Sequence, residues 1–189
     1  DGLGIIRKSS DVNQLAESVP DSGGVFVVPA FAGLGAPTWD PRARGCILGL
    51  TRGSTAAHIA RATLEGIAHQ VADILEAMTS DAGAPVGILR VDGGASASDL
   101  LMQTQANFLN AAVERPKVTE TTAQGAAFMA GIASGMWKNI SELSKSRTVD
   151  RVFKPKISDD QRLSQRANWK RALARAGDWA QDESKGATS

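Results

Sequence analysis

The sequence predicts an α/β fold with a mostly parallel or mixed sheet. Short runs rich in Val, Ile and Phe alternate with longer stretches whose apolar residues recur at three- and four-residue spacing. The connections between them are short and carry Gly, Pro, Asp and Ser. At 189 residues, the chain holds one generous domain, or one domain plus an appendage, and no internal repeat interrupts it.

Residues 1–24 read as a helical or irregular lead-in, because Ile5, Ile6 and Val12 to Leu15 supply apolar positions and Pro20-Asp-Ser-Gly-Gly24 breaks regular structure. Val25-Phe-Val-Val-Pro-Ala30 is β-branched and aromatic, as a buried strand requires, and its own proline stops it. A long loop through Gly33, Gly35, Pro37, Trp39, Asp40 and Pro41 leads to a second strand, Cys46–Leu50. Ser54 or Thr55 caps the strongest helix, whose stripe of Ile59, Leu64, Ile67, Val71, Ile74, Leu75 and Met78 implies about 25 residues. Gly83 and Pro85 end it, and Val86–Val91 is a strand running into Asp92-Gly93-Gly94. Ser96-Ala-Ser-Asp99 resembles a capping box for a helix carrying Leu100, Leu101, Gln105, Phe108 and Leu109. Ala112–Pro116 is a strand, and Thr121-Thr122 caps a helix of small residues from Ala123 to about Met136. Residues 141–146 form a further helical turn, 147–157 an extended crossover, and 158–177 a final helix.

Composition excludes several classes. Apolar residues make up 42% and charged residues 22%, ordinary globular values that argue against a disordered chain. With 21 Lys and Arg against 20 Asp and Glu, the net charge of +1 supplies no field that would draw nucleic acid or an anionic membrane. The single cysteine, Cys46, can neither close an internal disulfide nor build a zinc site, and a reducing, cytoplasmic setting fits it. Apolar stretches such as Val25 to Ala32 fall far short of the roughly 20 residues that cross a bilayer. The first residues do not read as a signal peptide, and the start at Asp1 rather than Met leads us to expect a chain that begins inside a longer one.

Nineteen glycines cluster at turns, and one cluster carries the clearest chemical suggestion. A glycine pair at the end of a strand, Gly93-Gly94 after Asp92, lets a flat ligand such as adenosine lie on bare backbone near the positive end of the next helix. The same pattern also describes an ordinary strand-to-helix turn. No P-loop is present, and Gly33-Leu-Gly-Ala-Pro-Thr38 breaks the dinucleotide fingerprint. His58 and His69 are too far apart along their helix to share a metal and read as packing or surface residues. Trp39 reads as a loop anchor, Trp137, Trp169 and Trp179 as packing anchors, and Cys46 as an inert strand thiol. Arg162, Arg166, Lys170, Arg171 and Arg175 make the last helix basic, as a solvated face usually is. Asp40 and Asp92 are candidate acids or bases without an identifiable partner.

Resemblance extends this reading. Gly45-Cys-Ile-Leu-Gly-Leu-Thr-Arg-Gly-Ser-Thr-Ala-Ala-His-Ile-Ala-Arg-Ala-Thr-Leu-Glu65 resembles the long signature of the FGGY carbohydrate kinases at every defined position. Residues 28–45 resemble the branch of that family that phosphorylates glycerol, Arg90-Val-Asp-Gly-Gly-Ala95 its adenosine motif, and Thr122–Gly131 its second connecting helix. The resemblance implies an actin-like ATPase fold of two ribonuclease-H-like domains. Residues 25–180 would belong to the nucleotide-side C-terminal domain, incomplete here, with 1–24 as lead-in and 181–189 as a disordered tail. It implies ATP or ADP and Mg2+ as cofactors, glycerol converted to sn-glycerol 3-phosphate, and homo-oligomers. By position it implies nucleotide contacts at Gly93, Gly94 and Ser98. Ser98 departs from the Asn common in the family; a hydroxyl is shorter than a carboxamide, which brings in a bridging water. The catalytic aspartate, polyol-binding residues and phosphate loops of the family all precede Asp1, so no catalytic residue is assigned here and the chain alone is expected to be inactive. The alternatives are another sugar kinase of the family, or a non-catalytic nucleotide-binding or interaction module.

Overall fold

The computed structural model describes residues 4–144 and 148–181. The tail expected at 181–189 therefore lies, beyond Gln181, outside the described residues, as does the end of the helical turn expected at 141–146. In chain order the elements are α1 (Asp11–Glu17), β1 (Phe26–Val28), β2 (Cys46–Leu48), α2 (Ala56–Ala82) and β3 (Ile88–Arg90), then a 3-10 turn (Gly94–Ala97). They continue with α3 (Asp99–Leu109), β4 (Ala112–Pro116), α4 (Thr121–Ala133), α5 (Ile140–Ser144), β5 (Val149–Phe153) and α6 (Asp159–Ala176). The chain forms two compact units, Asp1–Pro85 with Ile157–Ser189, and Val86–Lys156.

In the first unit, β1 and β2 pair antiparallel, Phe26 opposite Leu48 and Val28 opposite Cys46. Thr55 leaves extended backbone to cap α2, and its N–H donates to His58 Nδ1 at 3.2 Å, the returning half of a capping box. Ala57, Ala60, Leu64, Ala68, Ala72 and Leu75 form the buried stripe of this 27-residue helix. Each buried Leu or Val contributes about 1.5–3 kcal/mol. Gly66 lets the helix reach β1, because a Cβ there would lie 2.2 Å from the Val27 carbonyl oxygen. On α6, Ser158 Oγ accepts from the Gln161 N–H and Gln161 Oε1 accepts from the Ser158 N–H, which fixes the helix start. Trp169, Ala172 and Ala176 then pack against Val28, Ala30, Leu34 and Ala43.

The reading of α6 as a solvated basic face fails at Arg166, which is only 4% exposed. Arg166 falls three residues before Trp169, on the same buried stripe, and α2 supplies the carboxylates that offset its desolvation. Its Nη2 donates to Asp73 Oδ1 at 2.6 Å, its Nε to Glu76 Oε1 at 3.0 Å, and its Nη1 to the His69 carbonyl at 3.0 Å. Trp169 Nε1 donates to Asp73 Oδ2 at 2.7 Å, and the His69 ring stacks on Trp169 with centroids 5.0 Å apart. His69 is thus a packing residue, fully buried. Two tryptophans read as anchors are not: Trp39 is 75% and Trp179 71% exposed. The loop around Trp39 is held instead by main-chain bonds between Leu34 and Asp40 and by the Asp40 carboxylate.

The second unit is a small mixed sheet ordered β3-β4-β5. β3 runs parallel to β4, with Leu89 opposite Val113, and β4 runs antiparallel to β5, with Val113 opposite Phe153. α3 buries Leu101, Met102, Ala106 and Phe108 in this unit. The extended crossover expected at 147–157 is therefore a paired strand over Val149–Phe153. On α4, Gly131 is buried beneath the Trp137 ring, which meets Phe128 edge to face, while Met129 is 67% exposed.

Candidate functional site

The strand β3 ends where the chain needs a sharp turn, and Gly93 makes it. Its φ of 73° and ψ of 175° belong to a region that glycine alone adopts without strain. The Gly93 N–H donates to the Thr119 carbonyl at 2.8 Å, which ties the turn to the start of α4. Ser96, buried, closes it from the other side, its N–H and Oγ both donating to the Gly93 carbonyl, at 3.1 and 2.7 Å. The cap of α3 is Ser98 rather than Ser96: Ser98 Oγ accepts from the Leu101 N–H at 3.1 Å. Between these anchors the backbone of Gly93 and Gly94 is a bare ledge, since a Cβ built on either residue meets no atom within 4 Å.

The three residues named from the sequence, Gly93, Gly94 and Ser98, thus fall on one turn, but not in one role. The glycines are open, whereas Ser98 is buried and its oxygen caps a helix. The positive end of α3 is already met by Ser98 Oγ and by the Asp99 carboxylate in its first turn. The ledge therefore suits an uncharged, flat group such as a base or ribose better than a phosphate.

Asp92, read as lacking a partner, accepts a hydrogen bond from Thr121 Oγ1 at the first residue of α4. Asp92 and Thr121 open onto a cleft of about 530 Å³ whose walls include Gln124, Phe128, Ile132 and Leu143. Asp40, the other candidate acid, accepts N–H bonds from Asp178 at 2.7 Å, Arg42 at 2.8 Å and Ala43 at 3.0 Å. The Asp178 N–H above all, with the Arg42 and Ala43 N–H groups and the Arg42 charge, holds the Asp40 carboxyl below its ordinary range. Such a group is a weak base and serves the loop. Burial pushes the Cys46 thiol up, as expected of an inert strand cysteine.

A contact that sequence reading missed is Arg115 on β4. Its Nη1 donates to the Ser96 carbonyl at 2.9 Å and the Ala97 carbonyl at 3.3 Å, inside the turn. It also pairs with Asp99 at 2.8 Å and Asp150 at 2.7 Å. Desolvation opposes its charge, and Asp150 and Asp99 outweigh that and raise its pKa. Among the described residues, no group of three or more His, Cys, Asp or Glu is placed to hold a metal, and metal ligation is not assigned to this chain. No helix of the described residues is long and apolar enough to cross a membrane.

A glycine ledge at the end of a parallel strand, followed by a helix packed on the sheet, fits an actin-like, ribonuclease-H-like ATPase domain, and solved structures of two kinases share this fold. The chain superposes on a crystal structure of Plasmodium falciparum glycerol kinase with ADP with a TM-score of 0.83 at 36% identity, covering 93% of this chain and 35% of that one. It superposes on a ligand-bound xylulose kinase from Lactobacillus acidophilus with a TM-score of 0.69 at 26% identity, covering 92% and 34%. The C-terminal domain of the FGGY family of carbohydrate kinases matches residues 3–134, and the chain belongs to that family. Among curated relatives, it is 59% identical to glycerol kinase of Trichlorobacter lovleyi, over 96% of this chain and 36% of the relative. It is 56% identical to glycerol kinase of Rhodopirellula baltica, over 97% and 34%. The chain thus spans about a third of the length of these relatives.

Proposed function

We propose that this chain forms the nucleotide side of a glycerol kinase, an enzyme that transfers the γ-phosphoryl group of ATP to glycerol, giving ADP and sn-glycerol 3-phosphate. The observation that carries the proposal is the bare backbone of Gly93 and Gly94, where a Cβ would project into open space that a base or ribose can occupy. The likeness to glycerol kinases at 53–59% identity and to one whose crystal structure contains ADP supports the choice of substrate and nucleotide. In this reading Gly93 and Gly94 line the adenosine directly. Ser98, whose oxygen already caps α3, contributes through a bridging water. ATP supplies the transferred phosphoryl group, and Mg2+ enters with its phosphates rather than on residues of this chain. A cytoplasmic setting and assembly into homo-oligomers belong to the same proposal.

Phosphoryl transfer depends on positioning and on charge stabilisation around the γ-phosphate. The groups assigned to those tasks belong to the part of the family that this chain does not span. Residues 1–189 alone are therefore expected to release ADP from ATP and glycerol at the background rate in a coupled assay. Turnover above background would contradict the assignment.

Gly94→Leu tests the ledge. Gly94 has no positive φ and no neighbour to collide with, so thermal unfolding should move by no more than about 0.5 kcal/mol. The leucine would fill the space given to the nucleotide, and Mg-ADP binding measured by amide chemical shifts should be lost. Undiminished binding would remove the ledge from the nucleotide site. A second reading, a plain interaction domain of the same fold, is separated by the wild-type titration, because that module would bind no ADP.

A further inference from the structure

The turn that carries Gly93 and Gly94 has few bonds of its own. Within it, the Ser96 N–H and Oγ donate to the Gly93 carbonyl at 3.1 and 2.7 Å and the Ser98 N–H to the Ala95 carbonyl at 3.2 Å, while the Gly93 N–H holds its near end to Thr119. The carbonyls of Ser96 and Ala97, at its far end, point to β4, and there a single guanidinium meets both. We infer that Arg115 is the positioning residue of the nucleotide ledge: by bridging the Ser96 and Ala97 carbonyls to Asp99 and Asp150, it fixes the turn in the conformation that presents Gly94 to the nucleotide. This rests on the nucleotide reading of the ledge given above.

The guanidinium fork is what makes the bridge. Nη1 serves the turn and Asp99 while Nε and Nη2 serve Asp150, and the planar group lies 5.4 Å over the Phe153 ring. Arg115 is only 13% exposed, so these bonds are made largely out of water. The register also puts Arg115 directly opposite Arg151 across the β4–β5 ladder. Like charges so placed are unfavourable, and they are offset here by Asp99, which pairs with both arginines, and by Asp150, which pairs with Arg115. An apolar pair would serve the ladder better but could not donate to the carbonyls of the turn, as Arg115 does. Arg115 does not touch the nucleotide; it acts through the main chain of Ser96 and Ala97.

The experiment is a titration of the full 189-residue chain with Mg-ADP, followed by backbone amide chemical shifts well below the melting temperature. It compares wild type with Arg115→Ala, Arg115→Lys and Arg151→Ala. Lysine keeps the charge between Asp99 and Asp150 but has one nitrogen for the work of three. Arg151 also pairs with Asp99 and stacks on Phe153 at 4.9 Å, yet no bond from it to a carbonyl of the turn is made, so its loss touches Asp99 and the sheet but removes no bond to the turn. Both Arg115 variants should weaken ADP by at least about tenfold, the scale of lost preorganisation, with shifts at Gly93–Ser98 already moved before nucleotide is added. Arg151→Ala should stay within about twofold of wild type. If Arg115→Ala does not fold, Arg115→Lys decides. ADP affinity in the folded Arg115 variants equal to wild type overturns the inference, and so does an equal loss in Arg151→Ala. A wild type that binds no ADP at Gly93–Ser98 overturns the nucleotide reading and this inference with it, a failure visible before any variant is made.

Discussion

Arg166→Ala should destabilise the first unit by about 3–5 kcal/mol, the range for removing one partner of a buried ion pair. Three acceptors lose their donor at once. Asp73, itself 12% exposed on its side chain, keeps only the Trp169 indole N–H. Glu76 and the His69 carbonyl lose their guanidinium bonds. The cavity left beside Trp169 adds to the loss. Arg162 lies one turn earlier on the same helix and pairs with an exposed Asp159. Arg162→Ala should cost no more than about 1 kcal/mol, as exposed pairs do. Urea unfolding of the two variants side by side makes the comparison. Equal, small losses would mean that Arg166 is not the clamp between α2 and α6.

Acid should act on the same cluster through His69. Burial, and then the Arg166 charge, lowers the His69 pKa from 6.5 to about 3. Because Arg166 Nη1 can only donate, the 3.3 Å contact makes Nδ1 an acceptor and leaves the proton on Nε2. The unfolded chain binds a proton near pH 6.5 that the folded chain refuses until about pH 3. Stability from this group is therefore fully present above pH 6.5 and is lost as pH falls, at about 1.4 kcal/mol per pH unit. Between pH 7 and pH 5 the loss should be about 2 kcal/mol. His69→Phe keeps an aromatic ring against Trp169 and removes the titration. Urea unfolding at both pH values should show wild type losing about 2 kcal/mol more than the variant. Identical losses would mean that His69 is not held neutral.

Elements with a local signature were legible. The length of α2 follows from three- and four-residue spacing, and its cap at Thr55 and stop at Gly83 are standard helix-end residues. Of the apolar stripe read there, however, only Leu64 and Leu75 are buried; alanines, with Gly66 and His69, fill the rest of the buried face, and Ile74 and Met78 stand exposed. The strand Ala112–Pro116 has the limits its own composition gives it. Where two residues compete for one role, sequence could not choose: Ser96 and Ser98 are both good caps, and only the turn geometry sends Ser96 back to Gly93. Arg162 and Arg166 look alike in a basic helix, and burial separates them because Arg166 shares the stripe of Trp169. Trp39 and Trp179 read as anchors because a large ring usually buries itself, yet both stand exposed.

The candidate site was half legible. The glycine pair at a strand end marks the ledge, and resemblance to a kinase family gave it a ligand. The bonds that hold it were hidden, since Arg115 meets Ser96 across 19 positions and Thr121 meets Asp92 across 29. Contacts of that range depend on the parallel pairing of β3 with β4 and leave no periodic trace.

If nucleotide lies on the Gly93–Gly94 backbone, titrating the wild-type chain with Mg-ADP reads it out at that turn. Saturable amide shifts centred on Gly93 to Ser98 are expected. Absence of shifts at millimolar nucleotide, or shifts centred elsewhere in the chain, would contradict that placement.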